Sequence, residues 1–225
     1  MRLISTKWQH VIEFSEGSIS TLVIEDLPSF REYVTGLIQE IRNKEGSYFT
    51  LSIDGIKPVE ISDNIVVITD FFDLDFSLKT LNSALNAVVK STLTNNYLDD
   101  IHKLTEYISE LSFSIESNLP LQVKHKDEYS VSDLVKILDF HCSSSEEDTL
   151  GQLVDYISLH KKLLGINCFV LLNAFEVLDK NDFEALIHTC RLEKLGILFL
   201  ESRIPEFELT EEKRIIIDKD LCEIF

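Results

Sequence analysis

Asp70, Asp73 and Asp75 follow the apolar run 65–69, and carboxylates just past a strand are where open α/β sheets place metal-binding or acid–base groups. The same three residues equally suit a bland role, capping the next helix and complementing its dipole. No other pattern for chemistry stands out. There is no G-x-x-x-x-G-K-[ST], G-x-G-x-x-G, H-E-x-x-H or G-x-S-x-G, and the six histidines (10, 102, 125, 141, 160, 188) include no i, i+4 metal-binding pair. Glycine, which phosphate-cradling loops need, occurs only seven times. Enzymatic activity is not expected.

The basic residues are the scarcer class, 21 against 39 acids, so their positions carry information. Phe76–Leu98 holds no acid but holds Lys79 and Lys90. Eleven residues apart, these lysines return to one face of a helix roughly 16 Å apart. Lys124 and Lys126 bracket His125 in a loop, and Lys161 and Lys162 end a helix ahead of a strand. Either the six lysines form a stripe along a phosphate backbone, or the last pair compensates a helix C-terminus and Lys124 and Lys126 are simply solvated.

Residues 7–25 read as a hairpin turning at 15–18, and 28–41 as a helix with Asp26 as its cap. The runs 48–53 and 65–69 read as strands, the second continuous, β-branched and suited to the centre of a sheet. From 77 to 164 the pattern is helical. Tyr97, Ile101, Leu104, Ile108, Leu111 and Ile115 form an a/d seam, with short helices expected at 131–140 and 149–164. The seam could pack on the helix at 78–93, or serve as a docking or oligomer surface. Strand, helix, strand and a last strand follow at 168–172, 180–192, 197–200 and 215–217. The economical architecture is an α/β head, 1–75 with 165–225, into which an α-helical arm, 76–164, is inserted.

The net charge is −18, with six basic and 13 acidic groups in 1–76, eight and 13 in 77–164, and seven and 13 in 165–225. By itself such a charge repels nucleic acid and anionic lipid. The chain is 44% hydrophobic, enough for a large core, and no run is long enough to span a membrane. The start, MRLISTKWQH, shows no signal peptide. The spacing of Cys142, Cys168, Cys190 and Cys222 fits neither zinc nor a disulfide framework, so reduced thiols in the cytoplasm are expected.

Four segments taken together resemble the small spacer-acquisition family of type II-A CRISPR systems. They are Val67-Ile68-Thr69-Asp70 with Asp73 and Asp75, Phe169–Ala174 with Leu178 and 179–182, Gly196–Arg203, and Ile216–Asp220. The resemblance implies a P-loop-ATPase-like head without its phosphate loop, an inserted helical leg, and a homotetrameric ring around double-stranded DNA. It further implies binding to DNA ends, antiviral adaptation alongside an integrase and an effector nuclease, no catalysis, and Ca²⁺ for ring integrity. The six lysines above are then the candidate DNA contacts.

The family's acidic calcium stretch corresponds to 114–128, where only Glu116, Asp127 and Glu128 are acids, and Pro120, Gln122, Lys124 and Lys126 stand where acids are expected. Calcium takes six to eight oxygens. A weaker site, fewer ions, or ligands from Glu146-Glu147-Asp148 all remain open. The alternative function is a degenerate nucleotide-fold scaffold that binds only proteins.

Overall fold

The computed structural model describes residues 1–43, 48–126 and 128–224. The strands are β1 (Arg2–Ser5), β2 (Ile12–Glu13), β3 (Ile19–Ile24), β4 (Phe49–Ile53), β5 (Lys57–Val59), β6 (Ile65–Ile68), β7 (Cys168–Leu172), β8 (Gly196–Glu201), β9 (Lys213–Ile217) and β10 (Glu223–Ile224). The helices are α1 (Leu27–Asn43), α2 (Lys79–Asn96), α3 (Leu98–Asn118), α4 (Val131–Leu138), α5 (Thr149–Leu159) and α6 (Lys180–Leu192). The chain divides into two compact units, 1–74 with 144–225, and 75–143.

The first unit is mixed α/β. A six-stranded sheet runs β10-β9-β3-β8-β7-β6, parallel except for the β10–β9 pair. A smaller antiparallel sheet runs β2-β1-β4-β5. Strands β3, β7 and β8 are buried almost throughout because both of their faces are covered, and β7 and β8 are correspondingly apolar. Side chains alternate across a strand. Cys168, Val170, Leu198, Leu200, Leu22 and Ile24 join one core with Phe30, Tyr33 and Leu37 of α1 and with Leu3, Phe49 and Leu51 of the small sheet.

On the other strand positions, Phe169 and Phe199 are fully buried, and Phe199 meets Phe183 of α6 with ring centroids 5.0 Å apart. Burying each such ring contributes about 2–3 kcal/mol. Gly196 opens β8 where the main chain of Phe14 passes, and a Cβ there would lie 3.0 Å from the Phe14 Cα.

Three expectations are corrected. The 7–25 hairpin does not form: β2 pairs with β1 in the small sheet, while β3 enters the large sheet between β8 and β9. The 65–69 run is an edge strand, paired only with β7. Ile65 and Ile68 are nonetheless buried, so an edge strand carries the apolar signature of a central one. Residues 149–164 fall in the first unit rather than with the inserted helices. Their face of Leu153, Tyr156 and Ile157 is buried and α5 packs on α6.

The second unit holds α2, α3 and α4, with α2 packed on both of the others. Its buried side chains include Leu81, Ile101, Leu134 and Val135. Ser130 and Asp133 form a capping box at the start of α4.

Candidate nucleic-acid interface

Two of the three aspartates make turns. Asp70 Oδ1 accepts the main-chain N–H of Phe72 at 2.9 Å and of Asp73 at 3.2 Å. Asp75 Oδ1 accepts from Ser77 N at 2.9 Å and from its hydroxyl at 2.6 Å. Both patterns are Asx turns within the loop. They do not cap the next helix, as the bland reading expected: α2 starts at Lys79 with Leu78 at its N-cap, no side-chain cap bond and no acid in its first turn. Among the described residues no three His, Cys, Asp or Glu side chains converge as a metal site.

At the carboxyl end of β3 the chain runs through Glu25 and Asp26 directly into α1 without a glycine. Asp26 Oδ2 accepts the Ser29 N–H at 2.9 Å, capping the helix as expected, and these Ser29 hydrogen bonds hold its pKa below the usual carboxylate value. A negative side chain thus occupies the helix N-terminus that would otherwise attract an anion.

The six lysines divide into two groups. Lys79 and Lys90 lie exposed on α2, Lys124 is exposed in the loop after α3, and Lys162 is exposed near the end of the α5 segment. Among the described residues no ion pair engages these four, although Lys162 is near enough to Glu193 to help lower its pKa.

Lys126 and Lys161 are held internally. Lys126 Nζ bonds Asp133 and sits 5.5 Å from the Tyr129 ring centroid. Lys161 Nζ meets Glu193 Oε2 at 2.8 Å and also bonds its carbonyl. Lys79, Lys90, Lys124 and Lys126 belong to the second unit, and Lys161 and Lys162 to the first.

Of the candidate metal ligands, Glu116 Oε2 lies 2.5 Å from His125 Nδ1, Glu128 is exposed, and Asp127 lies outside the described residues. Asp148 caps α5 through the Gly151 N–H at 2.8 Å.

Sequence reasoning passed over Glu201. It ends β8 with 2% exposure, and Oε1 accepts the Ala174 N–H at 2.8 Å. Burial pushes its pKa up to about 8, against the opposing pull of the Ala174 and Phe175 amides. An acid at the end of an otherwise apolar strand, Ile197-Leu198-Phe199-Leu200-Glu201, was the available signal.

His160 is buried, with Nδ1 2.9 Å from the Tyr156 carbonyl oxygen, and desolvation lowers its pKa. Cys168 and Cys190 are buried thiols whose pKa values burial pushes up to about 11 and about 12.

A family model described as CRISPR-associated protein (Cas_Csn2) matches residues 43–221. A search of curated proteins finds no match. Among solved structures, the chain is similar to the ATP-binding protein of an ABC transporter from Pyrococcus furiosus, at 10% identity and a TM-score of 0.39, covering 95% of this chain and 97% of that one. It is also similar to an ATP-binding subunit of an ABC transporter, at 15% identity and a TM-score of 0.37, covering 89% and 79%. Among the described residues no helix is long and apolar enough to cross a membrane.

Proposed function

The chain belongs to the Cas_Csn2 family of CRISPR-associated proteins, and from that premise we propose that it is a non-catalytic protein of type II-A spacer acquisition that binds double-stranded DNA without reading sequence. The observation that carries this reading is the free positive face of α2. Lys79 and Lys90 are exposed, without an ion-pair partner among the described residues, in a stretch that contains no acid. Fixed cations spaced along a rigid helix can neutralise backbone phosphates while reading no base. Lys124 extends the set within the same unit, Lys162 is a separate exposed candidate of the first unit, and Lys126 and Lys161 serve the fold first.

The 1–74/144–225 unit is read as a P-loop-ATPase-like head that has lost its phosphate loop, and the 75–143 unit as its inserted helical leg. The glycine-free Glu25-Asp26 entry into α1 supports the first reading. A homotetrameric ring reconciles the −18 charge with DNA. A minority of lysines can line the hole while most carboxylates face outward and discourage binding elsewhere. The adaptation integrase and the effector nuclease would be the protein partners, in the cytoplasm.

A scaffold that binds only proteins is the second reading, favoured by the exposed apolar side chains of α3. A gel shift on linear duplex over a salt series separates the two. Binding that weakens steeply with salt, and more weakly for a K79E/K90E variant, supports the DNA reading. No binding at any salt concentration leaves the scaffold.

A further inference from the structure

We infer that the loop between α3 and α4 is held closed by two side-chain contacts of the chain's own, a hydrogen bond between Glu116 and His125 and an ion pair between Asp133 and Lys126, in place of calcium. Glu116 lies in the last turn of α3, and His125 returns to it after nine residues with Nδ1 2.5 Å from Oε2. The neighbouring Lys126 reaches the other way, to Asp133 in the first turn of α4. Two adjacent residues therefore staple the loop to the helix on each side of it.

The second staple is built in depth. Asp133 Oδ2 also accepts the Ser130 N–H at 2.9 Å and the Ser130 hydroxyl at 2.6 Å, and Lys126 lies 5.5 Å from the Tyr129 ring centroid. The Lys126 ammonium first, and Ser130 next, hold the Asp133 carboxyl well below the usual carboxylate range. Asp133 is thus already satisfied by a positive charge and two donors. The first staple is half-shielded, with side-chain exposures of 24% for His125 and 34% for Glu116, so water competes for its hydrogen bond less than at an open surface.

The described residues do not make a calcium site here. Calcium requires six to eight oxygens. A dication at Glu116 would have to displace an imidazole. Among the described residues no three potential ligand side chains converge, and Glu128 is exposed. Lys126, standing where an acid was expected, brings the neutralising charge to Asp133 from within the chain itself.

Hydrogen exchange on the full chain tests the inference without reference to DNA. Amides of 119–130 are followed in millimolar calcium and in EGTA, for the parent and for an H125A/K126A variant. Equal protection of the parent in both buffers, with protection in the variant reduced about fivefold, is the expected result. Exchange in β3 and β8 serves as the control for global folding. Slower exchange of the parent in calcium, or unchanged protection in the variant, overturns it. So does an assembly mass by light scattering that falls in EGTA.

Discussion

Glu201 receives the main-chain N–H of Ala174 at 2.8 Å, which ties the end of β8 to the turn that follows β7. The carboxyl is almost fully buried, and desolvation is the largest influence on it, raising its pKa to about 8. The folded state therefore keeps a proton that the unfolded chain releases near the ordinary glutamate value. Between that value and about pH 8 the unfolded state binds fewer protons, so stability falls as pH rises and levels off above the folded pKa. Glu201→Gln fixes the neutral form. Thermal melts from pH 5 to pH 8 are expected to show a declining Tm for the parent, and a smaller decline for E201Q with a higher Tm at pH 8. Parallel Tm profiles for the two proteins would remove the argument.

Lysine substitutions are expected to separate by their partners. Lys79→Ala and Lys90→Ala remove free exposed cations, so each should leave Tm within about 1 °C and flatten the log–log salt slope of duplex binding by about 0.9. Lys126→Ala and Lys161→Ala strip the partners from Asp133 and Glu193, so their main effect is a lowered urea midpoint rather than a changed salt slope. Urea melts and salt-dependent binding on the same four variants check the division. Equal effects on salt slope at all four positions contradict it.

That division marks where sequence stopped being informative. The acid-free stretch around α2 is visible in the sequence because it is local. Whether Lys161 is free depends on Glu193, 32 residues away across β7 and α6, and no spacing rule reaches that far. The same holds for strands. The 65–69 run and the 168–172 run look alike in composition, but one has a neighbour on each side and the other on one side only. Periodicity reports how deeply a strand is buried and not its place in the sheet. The start of α1 fared better, because a cap is chemistry within three residues: Asp26 with Ser29. Glu201 was missed because its partners, the amides of the turn after β7, are 27 residues distant.

The cysteines should differ sharply in reactivity. Cys168 and Cys190 are buried and their pKa values are pushed up to about 11 and about 12, so little thiolate exists at neutral pH. Cys142 is also buried, with its pKa raised by desolvation, whereas Cys222 is exposed. A thiol reagent at pH 7.5 is expected to label Cys222 within minutes, and Cys168 and Cys190 only after denaturant is added. Mass mapping of the labelled peptides reads the order. Fast labelling of Cys190 in the native protein would mean that the α6 face of the sheet opens readily.

The apolar seam of α3 yields the last prediction. Ile101 is buried, but Leu104, Leu111 and Ile115 remain 47–52% exposed, and Tyr107 beside them is 65% exposed. Packing on α2 within the chain therefore does not consume the seam, although α2 and α3 do touch. A row of half-exposed aliphatic side chains along a helix is costly to leave in water, and a second copy of the chain meeting it would bury them. Leu111→Glu with Ile115→Glu removes that gain at positions that carry little of the chain's own core. The parent is expected to run as an oligomer by light scattering and the double variant as a smaller species with unchanged helical circular dichroism. An interface core of this kind typically costs about 2 kcal/mol per lost anchor, which raises the dissociation constant about thirtyfold. If the variant keeps the parent's mass at micromolar concentration, the seam is not what joins the subunits. If it loses helicity, the seam packs within the chain after all.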